Sequence, residues 1–298
     1  MNGILKWLFG ILSMVIASVL TAVLIPRLEM HKNIGMNATT PPGSPESSDL
    51  QLSQAQKDLP DSGDSGRADY TETQYGIMMV YVKGGTFTMG CTREQGNDCE
   101  DDEKPAHEVT LSDFYIGRYT VTQAQWKSIM GSNPSFFKGD NLPVENVNWN
   151  DIQEFIQNLN KRTGRNYRLP TESEWEYAAR GGNQSQGYKY SGSHTLEEVA
   201  WYEENHNERP SLVGNKKANE LGIYDMSGNV WELVNDWHDG YSRHPQTNPD
   251  GPLTGTNRVY RGGSWDLDAG NARVSCRSSG EPGSRYDNLG FRLARSAK

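Results

Sequence analysis

The stretch Leu221-Gly-Ile-Tyr-Asp-Met-Ser-Gly-Asn-Val-Trp-Glu-Leu233 decides how the rest of the chain is read. Leu221, Ile223 and Tyr224 form a short apolar run suited to a buried strand. Asp225 to Asn229 interrupts it, and Ser227-Gly228-Asn229 is turn chemistry that tolerates positive φ. Val230, Trp231 and Leu233 resume the apolar run, with Glu232 set among them. A carboxylate there is costly to bury unless it is paired or bound to a metal. Asp225 lies upstream across the glycine turn, so the loop can fold both carboxylates and its own carbonyls onto one hard cation. Calcium suits that ligand set. The same spacing also describes a strand, turn and strand in which Glu232 caps backbone amides.

Outward from this stretch lie further motifs: Met79-Val-Tyr-Val-Lys-Gly-Gly-Thr-Phe-Thr-Met-Gly90, Tyr115-Ile-Gly-Arg-Tyr-Thr-Val-Thr122, Arg168-Leu-Pro-Thr-Glu-Ser-Glu-Trp-Glu-Tyr-Ala-Ala-Arg180, Arg261-Gly-Gly-Ser-Trp265 and Asn288-Leu-Gly-Phe-Arg292. With Gly222–Glu232 they resemble, in order, the signature segments of the formylglycine-generating enzyme family, also called sulfatase-modifying factors. The resemblance covers residues 76–298. It implies a single α+β, loop-rich, C-type-lectin-like domain. It implies a concave surface bounded by Trp231, Ser264, Trp265 and Arg292, with Ser264 as the pocket serine and the two tryptophans as aromatic walls. It further implies one calcium ion (Ca2+), held by the side chains of Asp225 and Glu232 and the carbonyls of Gly228 and Val230. Arg292 is placed for a bidentate contact to an acidic group of a ligand or to an internal carboxylate such as Asp287.

The family's oxidase chemistry uses two cysteines shortly after the Gly-Gly-Ser motif, which as thiolates bind copper(I). By resemblance those positions fall on Leu267 and Ala272, and neither carries a thiol. Cys276 is the one thiol nearby, read as a small buried hydrophobe in a strand over Ala272–Arg277 or, if the chain is an oxidoreductase, as its redox residue. Two readings follow. One is a non-catalytic binding or scaffold domain without copper, for a protein, peptide or glycan partner. The other is an oxidoreductase that converts a client-protein cysteine of sulfatase type to formylglycine. A hydrolase triad has no support, because no Gly-x-Ser-x-Gly elbow is present.

A net charge of -9 with no basic stripe argues against nucleic acid as a partner. Eight Trp and fourteen Tyr beside 31 Gly suit a loop-rich fold pinned by aromatics. Residues Leu8 to Pro26 carry no charge and approach the ~20 apolar residues that a bilayer span needs. The run ends Val-Leu-Ile-Pro-Arg, unlike a cleaved signal peptide, so residues 1–27 read as a single-pass transmembrane anchor. Residues 28–75, rich in Ser, Pro, Asp, Gly and Gln, read as a disordered linker. Cys91 and Cys99 bracket a polar loop and would pair in an oxidising compartment. With the anchor, this places the domain on the extracytoplasmic side, in a periplasm or at a cell surface. The acidic run Glu100–Glu103 reads as solvated loop charge, and Glu197, Glu198, Glu203, Glu204 and His206 as an exposed acidic segment.

Pattern also predicts elements. Gly76–Lys83 and Thr86–Met89 read as a hairpin across Gly84-Gly85, and Val109–Leu111 and Phe114–Arg118 as strands. Thr122-Gln-Ala-Gln125 and Thr171-Glu-Ser-Glu174 are capping boxes that open helices over Gln123–Met130 and through Arg180. Ile152, Phe155, Ile156 and Leu159 have helical spacing over Asp151–Arg162, with Gly164 as the stop.

Overall fold

Capping boxes open three helices in the computed structural model, which describes residues 67–297. Thr122 accepts from the Gln125 amide and Gln125 returns a bond, starting α1 (Gln123–Met130), which ends on left-handed Gly131. Asn148 and Asp151 do the same for α2 (Trp149–Thr163), and Gly164 closes it. This helix begins two residues before the periodic pattern because Asn148, rather than a later residue, is the cap. Thr171 and Glu174 open α3 (Glu172–Ala179). A single turn, α4 (Leu196–Val199), follows. As the spacing predicts, α2 buries Ile152, Phe155, Ile156 and Leu159, and Phe155 stacks on Trp126 of α1 with ring centroids 5.1 Å apart.

The strands are short and build three small sheets among the described residues. The first has the order β1 (Tyr70–Glu72), β2 (Ile77–Val82), β5 (Phe114–Gly117), β11 (Ala294–Ser296) and is wholly antiparallel. The second runs β10 (Leu289–Phe291), β6 (Trp231–Trp237), β8 (Arg258–Arg261), β9 (Arg277–Gly280), with β10 parallel to β6. The third is β3 (Gly85–Met89), β4 (His107–Leu111), β7 (Gln246–Thr247). This is the expected α+β, loop-rich architecture.

Several expectations need correction. β2 and β3 are not a hairpin: β2 pairs with β1 and β5, whereas β3 pairs with β4. Asp113 fixes the divergence, accepting from the Tyr81 hydroxyl and, at 2.9 Å, from the Gly84 amide. The domain also starts before residue 76. Tyr70, only 6 % exposed, packs edge-on against Tyr115 and draws β1 into the first sheet; the linker reading over 28–75 therefore fails for residues 70–72. Leu221–Tyr224 is irregular rather than a strand, and Cys276 precedes β9 in a run of turns. The acidic run is not uniformly solvated. Glu103 is fully buried and holds the guanidinium of Arg273 at 2.6 and 2.7 Å. The disulfide expected between Cys91 and Cys99 is present. Among the described residues no helix is long and apolar enough to cross a membrane. The anchor expected over 1–27, and the linker as far as residue 66, lie outside the described residues.

Buried ion pairs run through the interior. Glu176 of α3 meets Arg261 of β8, and Glu172 meets Arg277 of β9 at 2.7 Å. Arg261, Arg273 and Arg292 are among the largest fully buried side chains. Removing one partner of such a pair leaves a buried charge uncompensated, at a cost of about 3–5 kcal/mol. These pairs therefore fix which elements may meet.

Candidate functional site

The loop before β6 takes its shape from three residues at positive φ, Asp225, Gly228 and Asn229. At Gly228 a Cβ would stand 2.2 Å from the Trp201 carbonyl, so only glycine fits there. The Gly228 amide donates to the Gly262 carbonyl at 2.7 Å, and the Asn229 carbonyl accepts from the Trp265 amide at 2.9 Å. These bonds lash the loop to the Gly262-Gly263-Ser264-Trp265 segment. Gly263 lets that segment pass close to Asn271, whose carbonyl oxygen would lie 2.8 Å from a Cβ.

Glu232 sits between β8 and β10, and its carboxylate is saturated. Arg292 reaches it with two bonds of 2.6 Å; Trp175 Nε1 donates at 2.6 Å and Thr120 Oγ1 at 2.8 Å. Four donors occupy the four lone-pair directions of a carboxylate. The bidentate partner of Arg292 is thus Glu232, not Asp287 or a ligand. Arg292 also donates to the carbonyls of Gly117 and Tyr224 and is fully buried, so it does not bound a pocket.

The ligand set expected for calcium does not fit this arrangement. Glu232 has no free lone pair for a cation, and the Arg292 guanidinium lies against it. Asp225 is buried; its Oδ2 accepts from the Gly214 amide at 2.7 Å, while Oδ1 has no partner among the described residues. Burial pushes the Asp225 carboxyl up to about 6, with Glu232 adding to the rise and Arg292 opposing it. Gly228 and Val230 shape the loop, and among the described residues no group of three or more His, Cys, Asp or Glu side chains could hold a metal ion.

Of the expected pocket residues, only Trp265 reaches the surface. Trp231 packs into the main apolar core and Ser264 is buried, donating to Asp266 at 2.6 Å. A side chain that stands in a core, or whose hydroxyl is already spent, cannot line an open cleft. Half-buried Trp265 instead belongs to an aromatic surface that pattern reading missed. His206 lies 5.0 Å from its ring, Phe137 meets it edge-on at 5.8 Å, and Phe136, 69 % exposed, packs on Phe137. Beside His206 opens a cavity of 140 Å³, walled by Trp201, Arg209, Pro210 and Leu212. Two adjacent phenylalanines in a Ser-, Asn- and Gly-rich loop were the available signal.

Leu267 and Ala272, onto which the resemblance places the copper-binding cysteines, are packing residues. Leu267 lies against the main core and Ala272 within a smaller apolar cluster. Cys276 is 5 % exposed, and burial pushes its thiol up to about 12.

A profile of the sulfatase-modifying factor enzyme 1-like domain matches residues 66–297. The chain belongs to that family. Among sulfatase-modifying factor relatives, a chaperone protein, LppX, of Paenibacillus barcinonensis is 40 % identical, over 73 % of this chain and 89 % of its own. A formylglycine-generating enzyme of Streptomyces coelicolor is 30 % identical over the same shares. Of solved structures, Treponema denticola variable protein 1 superposes with a TM-score of 0.67 at 31 % identity, covering 74 % of this chain and 95 % of that one. PvdO from Pseudomonas aeruginosa gives 0.65 at 27 % identity, over 78 % and 100 %. The sulfatase-modifying factor fold expected from the motifs is therefore the fold of this chain.

Proposed function

We propose that this chain is a non-catalytic member of its family, a membrane-tethered domain outside the cytoplasm that holds a protein client on the aromatic surface around Trp265. One observation carries the reading: the two positions onto which the resemblance places the family's copper thiolates are Leu267 and Ala272, packed into apolar clusters. The thiol of Cys276 cannot substitute, since a buried thiol near 12 supplies almost no thiolate at neutral pH. A relative described as a chaperone protein supports a protein client. Exposed aromatics beside a small cavity supply the rigid anchors that protein recognition favours. The tether rests on the apolar run Leu8–Pro26, and the outward placement on the Cys91–Cys99 disulfide.

The competing reading is formylglycine formation on a client cysteine, favoured by the similarity to the Streptomyces coelicolor enzyme. Mass spectrometry decides between them. The full-length protein is given copper, oxygen, a reductant and a Cys-x-Pro-x-Arg peptide, beside an active family enzyme. No conversion is expected, and formylglycine in the peptide would overturn the proposal. In parallel, a reduced, unfolded client is titrated and aggregation followed by light scattering. Trp265→Ala combined with Phe136→Ser should weaken client capture by at least about tenfold with little change in melting temperature.

A further inference from the structure

On a face that shares no lining residue with the Trp265 surface, β6 ends beside a second cleft of about 360 Å³. That volume falls in the range of specific small-group sites. Its lining includes the acidic residues Glu172, Asp236, Asp239 and Asp250 beside Arg277 and His107, and Arg261 also faces Glu172 at 3.4 Å. Arg277 is already committed: it grips Glu172 with bonds of 2.7 and 2.8 Å and donates to the carbonyls of Asp102 and Asp239. Arg258, the other cation near Asp236, is sandwiched between the rings of Trp149 and Trp237 and donates to the Asn235 carbonyl.

Asp236 is the residue without an account. Its side chain is only 5 % exposed. Oδ2 accepts from the Glu172 amide at 2.8 Å, and among the described residues no donor reaches Oδ1. An ionised carboxylate so deep and without a counter-charge is costly. Burial, then the negative charge of Glu172, holds its carboxyl well above the usual carboxylate range. The cleft walls also include Trp237, Tyr241 and Pro249; the Tyr241 ring already carries the Arg277 guanidinium at 4.2 Å and the His107 ring at 4.9 Å, which leaves Trp237 and Pro249 for an alkyl stem.

We propose that this cleft binds the basic side chain of a partner protein, a lysine or arginine whose stem lies along Trp237 and Pro249 and whose charged head reaches Asp236 Oδ1. An organic cation suits the site better than a metal ion, because the acids are spread along the walls and no three converge as ligands. The inference stands on its own cleft and is independent of the client surface around Trp265.

Calorimetry on the full-length protein tests it with acetyl-Ala-Lys-Ala-amide and the same peptide carrying norleucine in place of lysine. The lysine peptide should bind at least about tenfold more tightly than its neutral counterpart, and Asp236→Asn should remove that advantage. Asn keeps the acceptor for the Glu172 amide, and a melting curve checks that the variant is folded. Asp250→Asn, on an exposed loop, carries no folding risk and should weaken the lysine peptide by about two- to threefold. Equal binding of the two peptides, no binding by the folded wild type, or an unchanged affinity in both variants would overturn the proposal. So would displacement of the lysine peptide by equimolar calcium chloride, which would mark the cleft as a metal site.

Discussion

Glu145 lies fully buried beneath the loop that carries Phe136 and Phe137. Its Oε1 accepts from the Phe137 amide at 2.8 Å, and its Oε2 has no partner among the described residues. Burial pushes the carboxyl up to about 7, against the pull of the Phe136 and Phe137 amides. In the unfolded chain the group titrates near its ordinary value of 4.5. Between those two values the folded state keeps a proton that the unfolded state has released, so stability falls as pH rises through the window. The full loss is about 3 kcal/mol. Glu145→Gln removes it: urea denaturation should give variant and wild type similar stability near pH 4, with the variant ahead by pH 8. A difference that does not change with pH would refute this. Single-residue chemistry was only half legible in the sequence. That Glu232 must be either paired or metal-bound followed from its apolar neighbours, but the resemblance made it a calcium ligand and offered Asp287 as the internal carboxylate for Arg292, whereas the true partnership of Glu232 and Arg292 spans 60 positions.

Helices and strands differ in how locally they are specified. Each of the three longer helices carries its start signal within four residues, and α2 adds an apolar stripe and a glycine stop. The Thr122 and Thr171 boxes and the α2 stripe and stop were read because helical bonds join near neighbours, while the Asn148 cap was missed. The Asn148 side chain accepts from the Asp151 amide at 2.9 Å. Asn148→Ala should therefore cost about 1 kcal/mol, measurable as a shifted urea midpoint with an unchanged slope. The existence of β2, β3, β4 and β5 was also legible, but their pairing was not, and β1, β7, β8, β10 and β11 gave no readable signal. β2 and β3 are separated only by Lys83 and Gly84, yet they belong to different sheets because Asp113 captures the link between them. The extent of Leu221–Tyr224 was misread for a related reason. Ile223 is buried by packing and Leu221 and Tyr224 are half-buried, while the positive-φ turn at Asp225 interrupts the run before β6.

The whole molecule combines one covalent staple with several buried charges. The Cys91–Cys99 loop is also tied down by the Cys91 amide on the Glu103 carbonyl at 2.9 Å, and Glu103 in turn holds Arg273. Reducing the disulfide should thus lower stability by about 2–3 kcal/mol without unfolding the domain. Melting curves with and without dithiothreitol check this, and a Cys91→Ser, Cys99→Ser double variant should not respond. The motifs made the overall fold legible, because their order along the chain is that of the family whose profile matches residues 66–297. Surface chemistry was less so, since exposed aromatics such as Phe136 obey no periodicity. Sheet order carries one more implication. β7 completes the third sheet, β9 and β10 the second, and β11 the first, while Glu232 waits for Arg292. A ribosome delivers β10 and β11 after β7, so the third sheet can close while the first and second still wait for their last strands. Only once Arg292 has been made can the buried Glu232 carboxylate be neutralised, so the order of synthesis delays the closing of that pair.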